Sequence, residues 1–491
     1  MLFVLLQIAV GIGPAMAAPR RALALVLALA LLVVTSACSN VMLTYEREGS
    51  GHVSARTMDW SSDLLSEVTT FPRGTPLAKY SPYGSASAAA NSTSAGRDTA
   101  EIGFVAATLK ALHGVVADGL NEHGFGVGLL WMEHPALLNG IAGMGVGEFR
   151  DYYPSFDAAD PRPAMAFMDL GGHLLSSCKT IADAETMIRK YQIVATDKNT
   201  FPAYFGFCGT TPECNPSVHF TLHDADGKSA VVEFIGEASK AASPKCFSDP
   251  AIGGTAAPNG GRVCFYDNTD SGVMTNEPTL ETHRRSLQTQ LDQEGNTNKA
   301  LFGLLQNEFG GYQSSARFAR LSVLNTLGKR ASPTCASPAS CGWSNTKYLD
   351  TADKLQHPHG FSFESKSATV DRVVQAARQI QTAVRPYGIN VVDPVYGATQ
   401  WTVIRDHSNK RFLFNSPAAP SFRSLDLASL DLTARGVQRS IPLANQEFDF
   451  EDASASLTAG GVGTKHVSLS PSRKKDQVGL KVKAGPGAGC K

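Results

Sequence analysis

An apolar segment near the N-terminus ends on small residues directly before a cysteine, and this junction constrains the chain more than any other feature. A pair of arginines precedes a Leu/Ala/Val run over residues 22–34, and Thr35-Ser36-Ala37 then leads into Cys38. This order is typical of a secretory signal and its cleavage site. The run is too short to predict a membrane-spanning helix. We therefore predict that residues 1–37 are a signal peptide and that Cys38 begins an exported, periplasmic or secreted protein.

Two alternatives stay open at this junction. Residues 2–12 form a second apolar stretch, so that translation starts at either Met1 or Met16. Cys38 would carry a lipid if the chain were a lipoprotein, although a lipobox prefers Leu where this chain has Thr35. A lipid-anchored, non-catalytic binding protein is therefore the alternative from another functional class.

The composition indicates a globular protein with a small, largely neutral partner. The 491-residue chain is 43% hydrophobic, which is enough to build a full core in one large domain or two. Charged residues make up 18%, and 44 Lys and Arg balance 44 Asp and Glu. No basic field for nucleic acid is apparent. We expect a small-molecule amide substrate, no nucleic-acid partner and no stable membrane span in the mature form, and a homo-oligomer remains open.

Six cysteines form three closely spaced pairs in loop-like sequence rich in Gly, Pro and Ser. The pairs are Cys208 with Cys214, Cys246 with Cys264, and Cys335 with Cys341. In an exported chain, local disulfides that fasten loops are the simplest interpretation of such pairs. A zinc site is disfavoured because the spacings are not C-x2-C and no histidine pair completes four ligands. Cys178 is predicted to be a buried thiol, and we expect neither a metal nor a cofactor.

Apolar periodicity predicts strands and helices that do not alternate as regular β-α-β units. Strands are predicted at residues 40–46, 52–58, 101–109, 114–117, 124–132, 218–222, 230–234, 401–405 and 411–414. Helices are predicted at residues 164–175, 180–191, 280–291, 318–327 and 370–384. This order indicates stacked sheets covered by helices. The sequence from residue 433 is rich in Gly, Ser, Ala and Lys, so we expect a folded domain at 38–432 and a disordered tail at 433–491.

Five sequence features occur in the order found in one enzyme family. They are the mature N-terminal Cys38, Arg56-Thr57-Met58-Asp59-Trp60, Asn121-Glu122-His123-Gly124, Thr275-Asn276-Glu277-Pro278 and Ser314-Ser315-Ala316-Arg317-Phe318. With these features the chain resembles the choloylglycine hydrolase family of N-terminal nucleophile hydrolases, from Cys38 to about residue 428. That family contains bile salt hydrolases and penicillin V acylases. The resemblance implies an α+β fold, a four-layer αββα sandwich, and hydrolysis of linear amides.

The resemblance also implies a role for each motif residue. A mature N-terminal cysteine carries a thiol nucleophile and an α-amine, whose usual pKa of about 7.7 to 8.0 suits a base near neutral pH. By similarity to the family, Arg56 stabilises the Cys38 thiolate, Asp59 orients the α-amine, and Arg317 holds the charge network around them. Asn276 matches the side-chain donor that stabilises the oxyanion.

Trp131 departs from the family pattern, in which bile salt hydrolases usually carry Asn and many penicillin V acylases carry Tyr. A backbone N–H must therefore act as the second oxyanion donor if Trp131 contributes one. Together with Trp60, it is predicted to line the substrate site and to favour a flat aromatic or slender aliphatic acyl group. This pair is similar to the penicillin V acylases of Gram-negative bacteria, some of which cleave N-acyl homoserine lactones. Ordinary core packing is the alternative for both tryptophans.

We therefore expect an exported amidohydrolase that cleaves penicillin V or an N-acyl homoserine lactone through a thioester on Cys38. A conjugated bile salt hydrolase is the alternative within the family. An inactive member that keeps the fold but not the rate is a further alternative, because of the departure at Trp131.

Overall fold

In this computed structural model the placement of about half of the chain is described. The described residues are 38–43, 51–60, 63–77, 80–82, 99–112, 114–132, 158, 161–197, 213–214, 218–235, 246–248, 262–293, 314–330, 376–377, 380, 398–417, 419–443, 450–452 and 465–467. The predicted signal peptide, most of the helix predicted at 370–384, and the cysteines Cys208, Cys335 and Cys341 lie outside them. Met1–Ala444 form one compact unit and Asn445–Lys491 a second.

The described strands and helices are numbered in chain order. The strands are β1 (Ser39–Met42), β2 (Val53–Trp60), β3 (Ser66–Phe71), β4 (Phe104–Leu109), β5 (Val115–Asn121), β6 (Gly126–Trp131), β7 (Ala164–Ala166), β8 (Gln192–Val194), β9 (Thr196–Asp197), β10 (Glu213–Cys214), β11 (Val218–His223), β12 (Ser229–Ile235), β13 (Cys246–Ser248), β14 (Arg262–Asp267), β15 (Val273–Thr275), β16 (Ala398–Asp406), β17 (Arg411–Ser416), β18 (Ala419–Asp426), β19 (Ser440–Pro442), β20 (Phe450–Asp452) and β21 (Lys465–Val467). The helices are α1 (Leu170–Ser177), α2 (Ile181–Arg189), α3 (Leu280–Gln293) and α4 (Ser314–Arg330).

Two antiparallel sheets make up the centre of the first unit. The six-stranded sheet has the order β15-β1-β2-β16-β17-β18, and the nine-stranded sheet has the order β13-β14-β12-β11-β6-β5-β4-β3-β19. Every residue of β2, β4 and β5 is buried. Such burial on both faces means that each sheet is covered on both sides.

Helices cover the outer face of each sheet, and the inner faces pack together. α1 contacts β5 and β6 of the nine-stranded sheet, whereas α4 contacts β15 and β1 of the six-stranded sheet. β16 and β17 contact β5 across the sheet interface. The order of layers is therefore helix, sheet, sheet, helix, and the predicted αββα sandwich is confirmed.

Local signals predicted several element ends well and others poorly. Thr180 caps α2 with a capping box that includes Asp183, as its spacing predicts. The helix predicted at 164–175 begins only at Leu170, because residues 164–166 form β7 and pair with β8. Neither β3 nor β14 was predicted, since their sequences, SEVTTF and RVCFYD, give weak alternation. In the described part of the chain, no helix combines the length and apolar character that crossing a bilayer requires.

The folded chain extends beyond the predicted boundary at residue 432. β19 pairs with β3 along one edge of the nine-stranded sheet, and Leu443 is fully buried. The prediction of a disordered tail is therefore wrong for residues 433–443, because backbone pairing and the burial of Leu443 stabilise a segment of mostly polar composition. In the second unit, β20 and β21 form an antiparallel pair.

Three described cysteines bear on the thiol predictions. Cys178 is a free, buried thiol, as predicted, and burial raises its pKa to about 12. Cys264 is disulfide-bonded, and the register of β13 with β14 places Cys246 directly opposite it. That register is compatible with the predicted pair, whose bond remains a prediction.

Candidate active site

Cys38 lies directly before β1, the second strand from one edge of the six-stranded sheet. β1 runs between β15 and β2, with Ser39 opposite both Thr275 and Thr57. The Ser39 backbone N–H donates to Thr57 Oγ1 at 3.2 Å. Cys38 is only 1% exposed and is a free thiol. Two flanking strands therefore fix the residue that the sequence predicts as the nucleophile.

Arg56 brings a buried cation to the sulfur. It lies on β2, and its Nη2 is 3.7 Å from Cys38 Sγ. The same nitrogen donates to the backbone carbonyl of Leu129, and Nη1 is 3.9 Å from Asp118 Oδ2. Arg56 also lies over the ring of Trp401, with 5.1 Å between Cζ and the ring centroid. A guanidinium held at this distance stabilises a thiolate, which is the role that the resemblance implies.

Arg317 connects the nucleophile to the predicted oxyanion donor. It projects from α4, and its Nη1 donates to Cys38 O and Ser39 Oγ. Its Nη2 donates to Asn276 Oδ1 at 2.9 Å. A guanidinium has only donors, so the atom of Asn276 that faces it must be the oxygen.

The orientation of the Asn276 amide follows from that contact. With Oδ1 held by Arg317, the NH2 group faces the opposite way, and Nδ2 donates to the backbone carbonyl of Trp131 at 2.6 Å. An amide nitrogen has two hydrogens, and these two contacts use only one of them. Asn276 is buried directly after β15, beside β1 and Cys38. The second hydrogen therefore makes Asn276 suitable as an oxyanion donor.

Asp59 is buried near the same centre and is linked to it through a threonine. Its Oδ2 accepts from Thr57 Oγ1 at 3.1 Å, and its Oδ1 accepts from Thr399 Oγ1. Thr57 Oγ1 in turn accepts from the N–H of Ser39. Burial raises the pKa of Asp59 from 3.8 to about 6, and this effect outweighs the opposing charge of Arg317 and both threonine hydrogen bonds. Asp59 therefore changes charge close to neutral pH.

A pocket opens next to the sulfur, and apolar side chains line it. Trp60 and Trp131 meet there edge to face, with ring centroids 5.2 Å apart and an interplanar angle of 75°. The lining residues are Cys38, Met58, Trp60, Leu64, Leu109, Leu112, Val115, Leu129, Trp131, Met168 and Val218. Both tryptophans thus lie at the pocket, in the position predicted for substrate-binding residues.

The sequence did not predict a second layer of buried charge behind Arg56. Arg405 Nη1 is 3.5 Å from Asp118 Oδ2, so that Asp118 lies between two guanidiniums. Arg405 Nη2 also donates to Asn40 Oδ1 at 2.7 Å. Burial raises the pKa of Asp118 to about 6, against the charges of Arg405 and Arg56. One available signal was the presence of a charged residue, Asp118 in β5 and Arg405 in β16, within strands that are otherwise largely apolar.

Six of the seven predicted site residues line this pocket or contact residues that line it, and Asp59 lies between two lining residues in the sequence, Met58 and Trp60. The arrangement combines a buried thiol, an adjacent cation, an oriented amide donor and an apolar cavity. Such a set can attack a carbonyl, stabilise the developing oxyanion and hold an apolar acyl group. Among the described residues, no three His, Cys, Asp or Glu side chains are arranged to hold a metal ion.

Comparison with known proteins gives matches along the same part of the chain. Residues 38–240 match the family described as linear amide C–N hydrolases, choloylglycine hydrolase family. The penicillin V acylase of Pectobacterium atrosepticum is 22% identical over 415 residues, which is 82% of this chain and 84% of that protein.

Solved structures show the same fold at low sequence identity. Penicillin V acylase from Agrobacterium tumefaciens has a TM-score of 0.50 and 20% identity, covering 83% of this chain and 92% of its own. A variant of conjugated bile acid hydrolase from Clostridium perfringens has a TM-score of 0.52 and 14% identity, covering 83% of this chain and 98% of its own. These likenesses support the αββα architecture.

Proposed function

We propose that this chain is an exported N-terminal cysteine hydrolase of the penicillin V acylase or N-acyl homoserine lactone acylase type. Its matches support an amidohydrolase that acts on linear amides and is similar to the choloylglycine hydrolase family. Removal of residues 1–37 would make Cys38 the N-terminal residue. The observation that carries this proposal is the Cys38 sulfur, which lies beside the Arg56 guanidinium and faces an apolar pocket.

The proposed reaction begins with attack of the Cys38 sulfur on the amide carbonyl carbon. The α-amine of Cys38 takes the thiol proton, and the carbonyl electrons move onto oxygen. Asn276 donates its second Nδ2 hydrogen to this oxyanion, while Arg317 holds its Oδ1. When the C–N bond breaks, the leaving amine takes the proton from the α-ammonium, and a thioester on Cys38 remains. Water then attacks the thioester with the α-amine as base, and the carboxylic acid leaves.

The mechanism requires a free amine on Cys38, and this requirement supports the proposed processing. The nitrogen of an internal residue is an amide, which is not basic near neutral pH. Cleavage after Ala37 converts it to an amine whose usual pKa of about 7.7 to 8.0 suits proton transfer. Mass spectrometry of the mature N-terminus tests the step: an unmodified Cys38 supports it, and an acylated Cys38 would move the chain to the lipid-anchored alternative.

The pocket walls support a substrate whose acyl group carries no hydroxyl groups. Apart from the sulfur itself, the described wall consists of aliphatic, thioether and indole groups. The hydroxyl groups of a bile acid steroid would be buried there without partners, which is costly. A phenoxyacetyl or fatty acyl group buries few polar atoms in the same place. Penicillin V and N-acyl homoserine lactones therefore fit this wall better than conjugated bile salts.

A side-by-side assay of the purified mature protein tests the substrate class. Initial rates would be measured with penicillin V, an N-acyl homoserine lactone, glycocholate and taurocholate, and Cys38→Ser would supply the background rate. We expect faster hydrolysis of the first two substrates. Preferential release of glycine or taurine would assign the protein to the bile salt hydrolases. Rates equal to those of Cys38→Ser with every amide would show an inactive protein that keeps the fold of the family but not its activity.

A further inference from the structure

The turn that presents Asn276 belongs to one sheet but is fastened to the other. β15 of the six-stranded sheet ends at Thr275, the turn covers residues 276–279, and α3 begins at Leu280. One link to the nine-stranded sheet is the hydrogen bond from Asn276 Nδ2 to Trp131 O. That bond uses one of the two Nδ2 hydrogens, and the oxyanion would use the other. A second attachment of the turn to the nine-stranded sheet would fix its distance from β6 independently of this amide.

Glu233 provides that further attachment. It lies on β12 in the nine-stranded sheet and is fully buried. Its Oε1 accepts from the backbone N–H of Leu280, the first residue of α3, at 2.8 Å. The same oxygen is 3.4 Å from His219 Nδ1 on the adjacent strand β11. A carboxylate at the first N–H of a helix satisfies an unpaired donor and favours the positive end of the helix dipole.

The start of α3 is also connected back to Asn276. His283 lies in the first turn of α3, and its Nε2 is 3.3 Å from both Asn276 O and Thr275 Oγ1. The His283 ring stacks on Phe318 of α4 at 4.5 Å, and Phe318 follows Arg317 in the sequence. A helix start that is held in place therefore holds the Asn276 carbonyl and the helix that carries Arg317.

We infer that Glu233 is a positioning residue for the oxyanion donor: by accepting the N–H of Leu280 it holds the Asn276 turn at the correct distance from β6 and Cys38. Glu233 is not among the residues that line the pocket. Its contribution to the reaction passes entirely through Leu280, His283 and Asn276. It should therefore affect the chemical step and not the binding of the acyl group.

Three substitutions at Glu233 separate its acceptor function from its charge. Glu233→Gln keeps an oxygen that accepts the Leu280 N–H, so we expect kcat within about threefold of wild type. Glu233→Leu removes the acceptor, and we expect kcat to fall about tenfold or more with KM little changed, because a misplaced oxyanion donor acts on the transition state. Glu233→Asp keeps the charge but shortens the side chain, so an intermediate loss is expected. If Glu233→Leu does not fold, the contrast between Gln and Asp decides the question.

Asp224 offers a matched control at a second helix. Its Oδ2 accepts from the N–H of Ile181, the first residue of α2, at 3.1 Å. Asp224→Leu removes the same kind of contact from a helix that does not carry a site residue. It also removes Oδ1, which accepts from the N–H groups of Asp226 and Lys228, so its effect on stability should be at least as large. We expect its kcat to stay within about twofold of wild type even where its melting temperature falls as far as that of Glu233→Leu. Equal losses of kcat in both variants would indicate general destabilisation and overturn the inference.

Measuring the effect of Glu233→Leu in a protein that also carries Asn276→Ala gives a second decisive result. In Asn276→Ala the donor is absent, so adding Glu233→Leu should reduce kcat no further. An undiminished effect of Glu233→Leu in that background would show that Glu233 acts elsewhere. The rate at which iodoacetamide alkylates Cys38 should be the same in Glu233→Leu and wild type, because Arg56 is unaffected.

This inference rests on the proposed function only through the role of Asn276, and one measurement tests it without substrate. Hydrogen–deuterium exchange of residues 273–283 should be faster in Glu233→Leu than in Glu233→Gln, while residues 178–189 should exchange equally in both. Unchanged exchange at 273–283 would refute the attachment even if the enzyme were active. Faster exchange in a protein that hydrolyses no amide would instead support the attachment and refute the proposed function.

Discussion

The titration of Asp59 gives the most quantitative prediction from this site. Its carboxyl is buried between Thr57, Thr399 and Arg317, and burial raises its pKa from 3.8 to about 6. If ionised Asp59 orients the α-amine of Cys38, activity must fall as the carboxylate takes up a proton. Protonation of the α-amine already lowers kcat/KM as pH falls, and we expect Asp59 to add a further decrease below about pH 6, of about tenfold for each pH unit well below that value.

The same shift predicts a stability effect whose sign is fixed by linkage. A shift of about two pKa units corresponds to about 3 kcal/mol. Because the folded pKa is the higher one, folded Asp59 holds a proton that the unfolded chain has already lost between about pH 4 and pH 6. This contribution to stability is present below pH 4 and is lost as pH rises through 6. Relative to Asp59→Asn, wild type should therefore lose about 3 kcal/mol of unfolding free energy between pH 4 and pH 8.

The assay compares Asp59→Asn with Asp118→Asn across pH 4 to 9. Asp118 is the matched control, because burial also raises its pKa to about 6 while it lies on the far side of Arg56. The pH profile of the residual kcat/KM of Asp59→Asn should show no such further decrease near pH 6. The profile of Asp118→Asn should still show it. Urea unfolding at each pH supplies the stability comparison without requiring activity.

Two results would refute this reasoning. If the further decrease near pH 6 survives in Asp59→Asn and disappears in Asp118→Asn, the group that titrates is Asp118 and not Asp59. A difference in unfolding free energy between wild type and Asp59→Asn that does not change with pH would show that the pKa of Asp59 is not raised in the folded protein.

Three further predictions concern the nucleophile and the oxyanion donor. A protein that retains Ala37 before Cys38 should fold but hydrolyse no substrate, because its Cys38 nitrogen is an amide; full activity of that protein, checked by intact mass, would contradict the proposed base. Asn276→Ala should lower kcat about a hundredfold with KM within a few fold, and a steady-state assay showing a change in KM alone would argue against an oxyanion role. Iodoacetamide at pH 7.5 should inactivate Cys178→Ala as fast as wild type, because burial raises the pKa of the Cys178 thiol to about 12; slower inactivation would show that Cys178 reacts.

The sequence predicted those site residues that lie in short contiguous motifs, and the resemblance to a family gave each of them its role. Arg56 and Asp59 lie within one short strand next to β1, so their position follows once β2 is recognised. Asn276 and Arg317 lie in contiguous motifs at the end of β15 and the start of α4. The two-sheet architecture also followed from the order of strand and helix patterns. These features depend on residues close together in the sequence.

The partners of those residues depend on contacts across long sequence separations. Thr399 reaches Asp59 because β16 pairs with β2, more than three hundred residues away in the chain. Glu233 of β12 contacts Leu280, which follows β15, although β12 and β15 belong to different sheets. No periodic pattern in a single sequence specifies which strands become neighbours, so neither contact was predictable.

One signal for the buried charges was present in the sequence as a pair of glycines. Glycine weakens a strand interior, so glycine at alternate positions of β6 indicates close approach by other atoms. A Cβ at Gly128 would lie 3.1 Å from Arg56 Cδ and 3.3 Å from Asp118 Oδ2, and one at Gly126 would lie 3.2 Å from Arg405 Cδ. The side chains of Arg56 and Arg405 therefore pass through space that the glycines of β6 leave free. Because Asp118 lies between them, larger residues at these glycines would displace the cations together with the carboxylate, and Arg56 would no longer be held beside the sulfur.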